Sequence, residues 1–282
     1  MKAGLWMIGT LASFCIMAIG ARELNGVLDT FQLLFYRSAL GLVIMSSIHV
    51  LSGNPHPFRT QYFKQHMIRN TFHFAGQYGW FIGIGLLPLA EVFALEFTTP
   101  VWTALIAYFL LKEQMTKVKV FAIVVGLLGV LIILKPGYTL LNGSSFIVLA
   151  AAVAFAIAHI FTKSLSYKES PATILFYMSL IQLPLGLIPA LFNWQWVTGE
   201  TWPWIVLIAI TGLTAHFCTA KAMQYADVTL VVTLDFLRLP LITLAGIILY
   251  NEDFDITLLI GSLLMLTGNL LNIKKSMKHR TT

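Results

Sequence analysis

The feature that most constrains this chain is a succession of apolar runs, each about 20 residues long, separated by short charged or turn-rich breaks. A helix rises 1.5 Å per residue, so about 20 residues cross the ~30 Å hydrocarbon layer of a bilayer. Ten such runs fit, at residues 4–21, 31–51, 67–87, 90–111, 118–135, 146–166, 171–192, 203–223, 228–250 and 256–273. They occupy about 200 of the 282 residues and leave no length for a soluble domain. Charged residues make up 11% of the chain, against roughly 25% in soluble domains. A water-soluble enzyme could not cover its surface with so few. The sequence therefore predicts an all-α integral membrane protein with ten transmembrane helices. Met1-Lys2 and Ala18-Ile-Gly-Ala21 resemble a cleavable signal peptide, but the similar segments that follow favour a first transmembrane helix.

The net charge of +6 does not indicate nucleic acid, because the basic residues are scattered between apolar runs. Their placement reads as topology. Fourteen of the eighteen Lys and Arg residues fall on one side, among them Arg59, Lys64, Arg69, Lys163, Lys168 and the tail from Lys274 to Arg280. The opposite side holds Arg22 and Lys135 with acids such as Glu23, Glu200 and Glu252, and four tryptophans flank its break after residue 192. By the positive-inside rule both termini are cytoplasmic, in a multi-pass protein of the inner membrane. Cys15 and Cys218 both lie in apolar stretches, so neither a disulfide nor a metal site is expected.

The two halves echo each other. Leu95-Glu96-Phe97 matches Leu234-Asp235-Phe236 at an offset of 139, which also pairs Glu113 with Glu252 and Gly129 with Gly268. Leu34-Phe35-Tyr36 and Ser38 match Leu175-Phe176-Tyr177 and Ser179 at an offset of 141. Pro100 and Pro240 are offset by 140, which requires a local slip. Five spans per copy is an odd number, so the second copy, 138–282, must enter the membrane inverted relative to the first, 1–137. Inverted repeats are the architecture of secondary transporters working by alternating access.

The segments Leu95-Glu-Phe-Thr-Thr-Pro-Val-Trp102, Leu111-Lys-Glu113, Val125-Gly-Leu-Leu-Gly129 and Leu234-Asp-Phe-Leu-Arg-Leu-Pro240 resemble the EamA family of the drug/metabolite transporter superfamily. The resemblance implies two EamA repeats, with spans 1–4 and 6–9 around a central cavity and spans 5 and 10 peripheral. The stretch from Asp235 to Pro240 is similar to a subgroup that includes S-adenosylmethionine and riboflavin carriers.

Four ionisable residues fall inside the spans, where each needs a partner or a water-filled cavity. Arg37 and Glu96 both lie ~9 Å inside their spans, so they are expected to pair, either as a structural lock or as part of a site. Asp235 and Arg238 are three residues apart and share a helix face, with Arg238 near the midplane. There its guanidinium would clamp a carboxylate or phosphate, or be neutralised by Asp235 alone. Asn70, His73, Gln77 and Trp80 form one stripe of the third span, and Gln77 corresponds to His216 at the 139 offset. Gln77 and His216 are candidate hydrogen-bonding groups, and Trp80 or Tyr36 a stacking surface for a planar substrate. Pro100 and Pro240 are candidate hinges. Lys163 reads as a snorkelling lysine near the cytoplasmic surface.

The sequence thus points to a secondary transporter for a small polar or zwitterionic metabolite, such as an amino acid or S-adenosylmethionine, with no cofactor. The bilayer and the small molecule are its expected partners, and proton coupling and a homodimer stay open. An intramembrane enzyme would need a nucleophile–base or metal-ligand constellation, which the spacing does not offer. A non-transporting receptor is the remaining alternative.

Overall fold

The structure is a computed structural model and describes all residues except Met1, 52–57, 112–116, 135–142, 227–230, 232–233, 254–255 and 279–282. Lys112, Glu113, Lys135, Asp255 and Arg280 therefore lie outside the described residues. Among those described, regular structure is entirely helical. The helices are α1 (Lys2–Glu23), α2 (Thr30–Leu51), α3 (Phe63–Leu86), α4 (Leu89–Glu96), α5 (Thr99–Leu111) and α6 (Lys117–Leu134). They continue as α7 (Gly143–Ser166), α8 (Pro171–Ala190), α9 (Trp202–Tyr225), α10 (Arg238–Tyr250) and α11 (Ile256–Lys278). Each of the ten apolar runs carries helix.

Local chemistry sets the starts. Asp29 Oδ1 accepts from the backbone N–H of Phe31 (2.9 Å) and Gln32 (3.3 Å), capping α2. Ser170 Oγ accepts from Thr173 N–H at 3.1 Å, and Pro171 follows at the first helical position, where no N–H is needed.

Two runs are not continuous helices. The fourth breaks between α4 and α5 at Phe97–Thr98, and the ninth enters α10 through a 3₁₀ turn, Asp235–Leu237. At the first break, Thr98 N–H bonds to Leu95 O at 3.1 Å, an i→i−3 bond where α4 uses i→i−4. Pro100 has no N–H to give the Glu96 carbonyl, and the Thr99 hydroxyl donates there instead. Both prolines sit in the first turn after a break and so mark where the second helix starts.

Burial runs opposite to that of a water-soluble fold. Arg37, Arg69, Asn70, His73, Gln77, Gln182 and Arg238 are all buried, while Val43, Ile48, Phe109, Phe121, Ile188 and Ile248 are exposed. Such an apolar exterior needs an apolar surrounding. Six helical segments are long and apolar enough to cross a membrane by length and composition. α3 falls short of that because its buried face carries the polar stripe.

The helices pack most extensively as α1 with α9, α3 with α7, α2 with α8 and α6 with α11, followed by α5 with α7, α2 with α9, α3 with α8 and α4 with α10. Small residues permit the approach. A Cβ on Gly186 of α8 would lie 2.8 Å from Phe35 N and 3.1 Å from Phe31 O, both backbone atoms of α2. A Cβ on Gly126 of α6 would meet the Val101 side chain of α5 at 2.7 Å.

Candidate functional site

The two helix breaks meet and present Glu96, Asp235 and Arg238 to one cavity. Glu96 is the last residue of α4, and Arg238 the first of α10. Arg238 is 2% exposed. Its Nη2 donates to Glu96 Oε1 at 2.9 Å and also to Asp235 Oδ2. The guanidinium carbon stands over the rings of Phe14, Phe93 and Phe97, at 4.4, 5.2 and 5.5 Å from their centroids. Cation–π contact and two carboxylates thus replace its hydration. Nε and Nη1 of Arg238 and Oδ1 of Asp235 have no hydrogen-bond partner among the described residues.

Trp80 fixes the other side of Glu96, its indole N–H donating to Glu96 Oε2 at 2.8 Å. The indole itself is wedged edge-on against Phe81 and Phe93. Glu96 is therefore held at both oxygens, by a tryptophan of α3 and an arginine of α10.

A cavity of about 40 Å³ surrounds this centre. Its polar lining includes His73, Gln77, His159, His216 and Thr219, and its apolar walls include Phe14, Phe81 and Phe155. His73 and His216 meet edge to face, ring centroids 4.6 Å apart. Gln77 Nε2, His159 Nδ1 and His216 Nε2 lack partners among the described residues. The cavity runs from Trp80 and Arg238 towards Met7, Met223 and Val231, near the start of α1 and the end of α9. Among the described residues no group of three His, Cys, Asp or Glu side chains converges on a metal-sized point.

Six of the eight binding residues named from sequence line this cavity: Glu96, Asp235, Arg238, Gln77, His216 and Trp80. Two do not. Tyr36 packs against Trp194 and Trp202, at 5.7 and 5.3 Å between centroids, in an aromatic cluster away from the cavity. Arg37 stands behind Gln77, donating from Nη2 to Gln77 Oε1 (2.7 Å) and Gln182 Oε1 (3.1 Å). The expected Arg37–Glu96 pair is thus replaced by Arg238–Glu96. Equal depth along two helix axes does not put two side chains on facing sides.

Arg69, expected at the cytoplasmic surface, is buried, donating to Thr162 Oγ1 (3.1 Å) and Asn70 Oδ1 (2.5 Å). Lys163, expected to snorkel, instead donates to the carbonyls of Met223 (2.8 Å) and Ala226 (2.9 Å) and caps the end of α9. Phe14, Phe155 and Gln182 were not singled out from sequence. An aromatic or glutamine inside an apolar run carries no signal of which way it faces.

Apolar helices outside and an ion-paired polar cavity inside define a multi-pass membrane protein. The family comparison makes the class specific: the EamA-like transporter family matches residues 1–135 and 143–274, and the chain belongs to it. It is a membrane transporter of the drug/metabolite transporter superfamily. An S-adenosylmethionine uptake transporter of Rickettsia prowazekii is 25% identical over 278 residues, covering 98% of this chain and 94% of that protein. A riboflavin transporter of Vibrio cholerae is 28% identical over 256 residues, covering 89% and 86%. A solved crystal structure superposes with a TM-score of 0.71 at 18% identity, covering 98% of both chains, and so shares the fold.

Proposed function

We propose that this chain is a secondary carrier that moves a small polar or zwitterionic metabolite across the inner membrane by alternating access. In this reading it has ten spans in two inverted repeats, 1–137 and 138–282, with both termini cytoplasmic. The observation that carries the proposal is Arg238, buried between Glu96 and Asp235 where two interrupted helices meet a polar cavity.

The packing supports the repeat. Numbering the spans one to ten, the close pairs are 1 with 8, 6 with 3, 2 with 7, 5 with 10, 4 with 6, 9 with 1, 2 with 8, 7 with 3 and 4 with 9. Exchanging each span with the one five places on leaves this set unchanged. Hydrogen bonds at the two ends repeat it at the offsets seen in the sequence. Arg22 Nη1 donates to Ile84 O at 2.6 Å, and Lys163 Nζ to Met223 O at 2.8 Å, 141 and 139 residues on.

Two carboxylates share one guanidinium, so the trio carries one surplus negative charge, which a substrate cation or a proton would offset. The unengaged edge of Arg238, Nε and Nη1, suits a carboxylate or phosphate. Gln77 and His216 add neutral hydrogen-bonding groups, and the phenylalanine walls accept a planar ring. The relatives are named for S-adenosylmethionine and riboflavin, which pair a flat heterocycle with polar groups. A substrate that takes over Arg238 would loosen its hold on both breaks, and that coupling would let the halves rock.

The test is uptake by purified protein in sealed vesicles, with S-adenosylmethionine, riboflavin and amino acids as probes. Arg238→Ala is expected to reduce flux to the level of empty vesicles while the protein still inserts and elutes as a single species. Normal flux in that variant would remove Arg238 from the site.

A further inference from the structure

Arg37 sets a separate electrostatic problem. It is 5% exposed, its two acceptors Gln77 and Gln182 are neutral, and Nε and Nη1 have no partner among the described residues. Arg69, 3% exposed and within electrostatic reach, also has only neutral acceptors, Thr162 and Asn70. The nearby interior acids, Glu96 and Asp235, are both engaged by Arg238. A guanidinium inside a bilayer-embedded protein without a counter-charge is strongly unfavourable.

A second, smaller cavity adjoins Arg37 and is distinct from the main one. It is lined by Arg37, Ser38, Ser179, Gln182 and apolar atoms of α8 and α9. Its size suits a single occupant about as large as water or a halide. Small residues keep the space open beside the arginine: a Cβ on Gly212 would come 3.3 Å from Arg37 Nη1. Arg37 does not line the main cavity, and Gln77 separates the two.

We propose that this cavity binds a small inorganic monovalent anion, chloride by size and abundance. The ion sits against the free Nε and Nη1 of Arg37, with the Ser38 and Ser179 hydroxyls beside it. It supplies the counter-charge Arg37 lacks and ties α2 to α8 behind Gln77, with Ala209 and Leu213 of α9 closing the cavity. An organic anion the size of a metabolite does not fit, so this site is independent of the transported substrate.

The experiment is thermal unfolding of the full-length protein in detergent, with chloride exchanged for gluconate at constant ionic strength. Wild-type protein is expected to show a saturable rise in midpoint of about 3 °C, reproduced by bromide. Arg37→Gln should lose the rise, and Ser179→Ala should raise the half-saturating chloride several-fold. If Arg37→Gln fails to fold, the wild-type titration and Ser179→Ala still decide. No chloride-dependent rise in wild-type protein, or the wild-type titration retained in either variant, overturns the proposal.

Discussion

At the scale of single residues, the site is a question of what holds Glu96. Arg238 takes one oxygen and the Trp80 indole the other, so the carboxylate has no rotational freedom left. A hydrogen bond to a charged group contributes about 1.5–3 kcal/mol. Trp80→Phe keeps the ring in its pocket between Phe81 and Phe93 and removes only the N–H. It is expected to raise the KM for uptake by about tenfold and to lower the thermal midpoint by about 5 °C. A KM equal to wild type would mean that Trp80 acts only as packing. Glu96, Asp235 and Arg238 were legible in the sequence because a charge inside an apolar run has few explanations. Which charge meets which was not. Residue counting along a span gives depth, and the Arg37–Glu96 expectation used depth alone. The structure adds azimuth, which turns Arg37 towards two glutamines and gives Glu96 to Arg238. Arg69 reads as a surface residue for a related reason: near the end of a span, a buried arginine and a snorkelling one have the same sequence signature.

At the scale of elements, the apolar runs were enough to place the described helices, because period and length dominate that signal. The breaks were only half legible. Pro100 and Pro240 drew attention to the right spans, yet the first break lies at Phe97–Thr98, just ahead of Pro100. Proline is tolerated in the first turn of a helix, so it marks the restart. What keeps the break open is a substitution of donors: the Glu96 carbonyl receives the Thr99 hydroxyl in place of a residue-100 N–H. Pro100→Ala restores that N–H and allows α4 and α5 to join. A continuous helix would rotate Glu96 away from Arg238. Uptake is then expected to fall at least tenfold, with stability lowered by about 3 kcal/mol as the buried Glu96–Arg238 pair is lost. Vesicle flux and calorimetry on the same preparation check this, and unchanged flux would show that the break persists without the proline.

At the scale of the whole molecule, the two ends are closed by different chemistry. At the end carrying Arg22, that residue pairs with Glu252, whose carboxylate also accepts the Leu89 N–H at 3.0 Å and so caps α4. One side chain of the second half thereby holds two elements of the first. Leu24, Leu28, Leu87 and Leu89 fill the core beneath this tie. At the other end Lys163 meets backbone carbonyls of its own half. The cavity extends towards that second end and stops short of Arg22. If the carrier alternates, the Arg22–Glu252 tie must break whenever the cavity opens on its side. Glu252→Gln keeps the shape and removes the charge, so it is expected to shift the population towards that open state. Leu89→Cys, buried under the tie and placed in a background lacking Cys15 and Cys218, reports the shift. With both termini cytoplasmic, as proposed, that end faces outward, and an impermeant maleimide added outside right-side-out vesicles should label it roughly threefold faster or more when Glu252 is Gln. Equal labelling rates would make the tie a static brace, and the opening on that side would have to run through another contact.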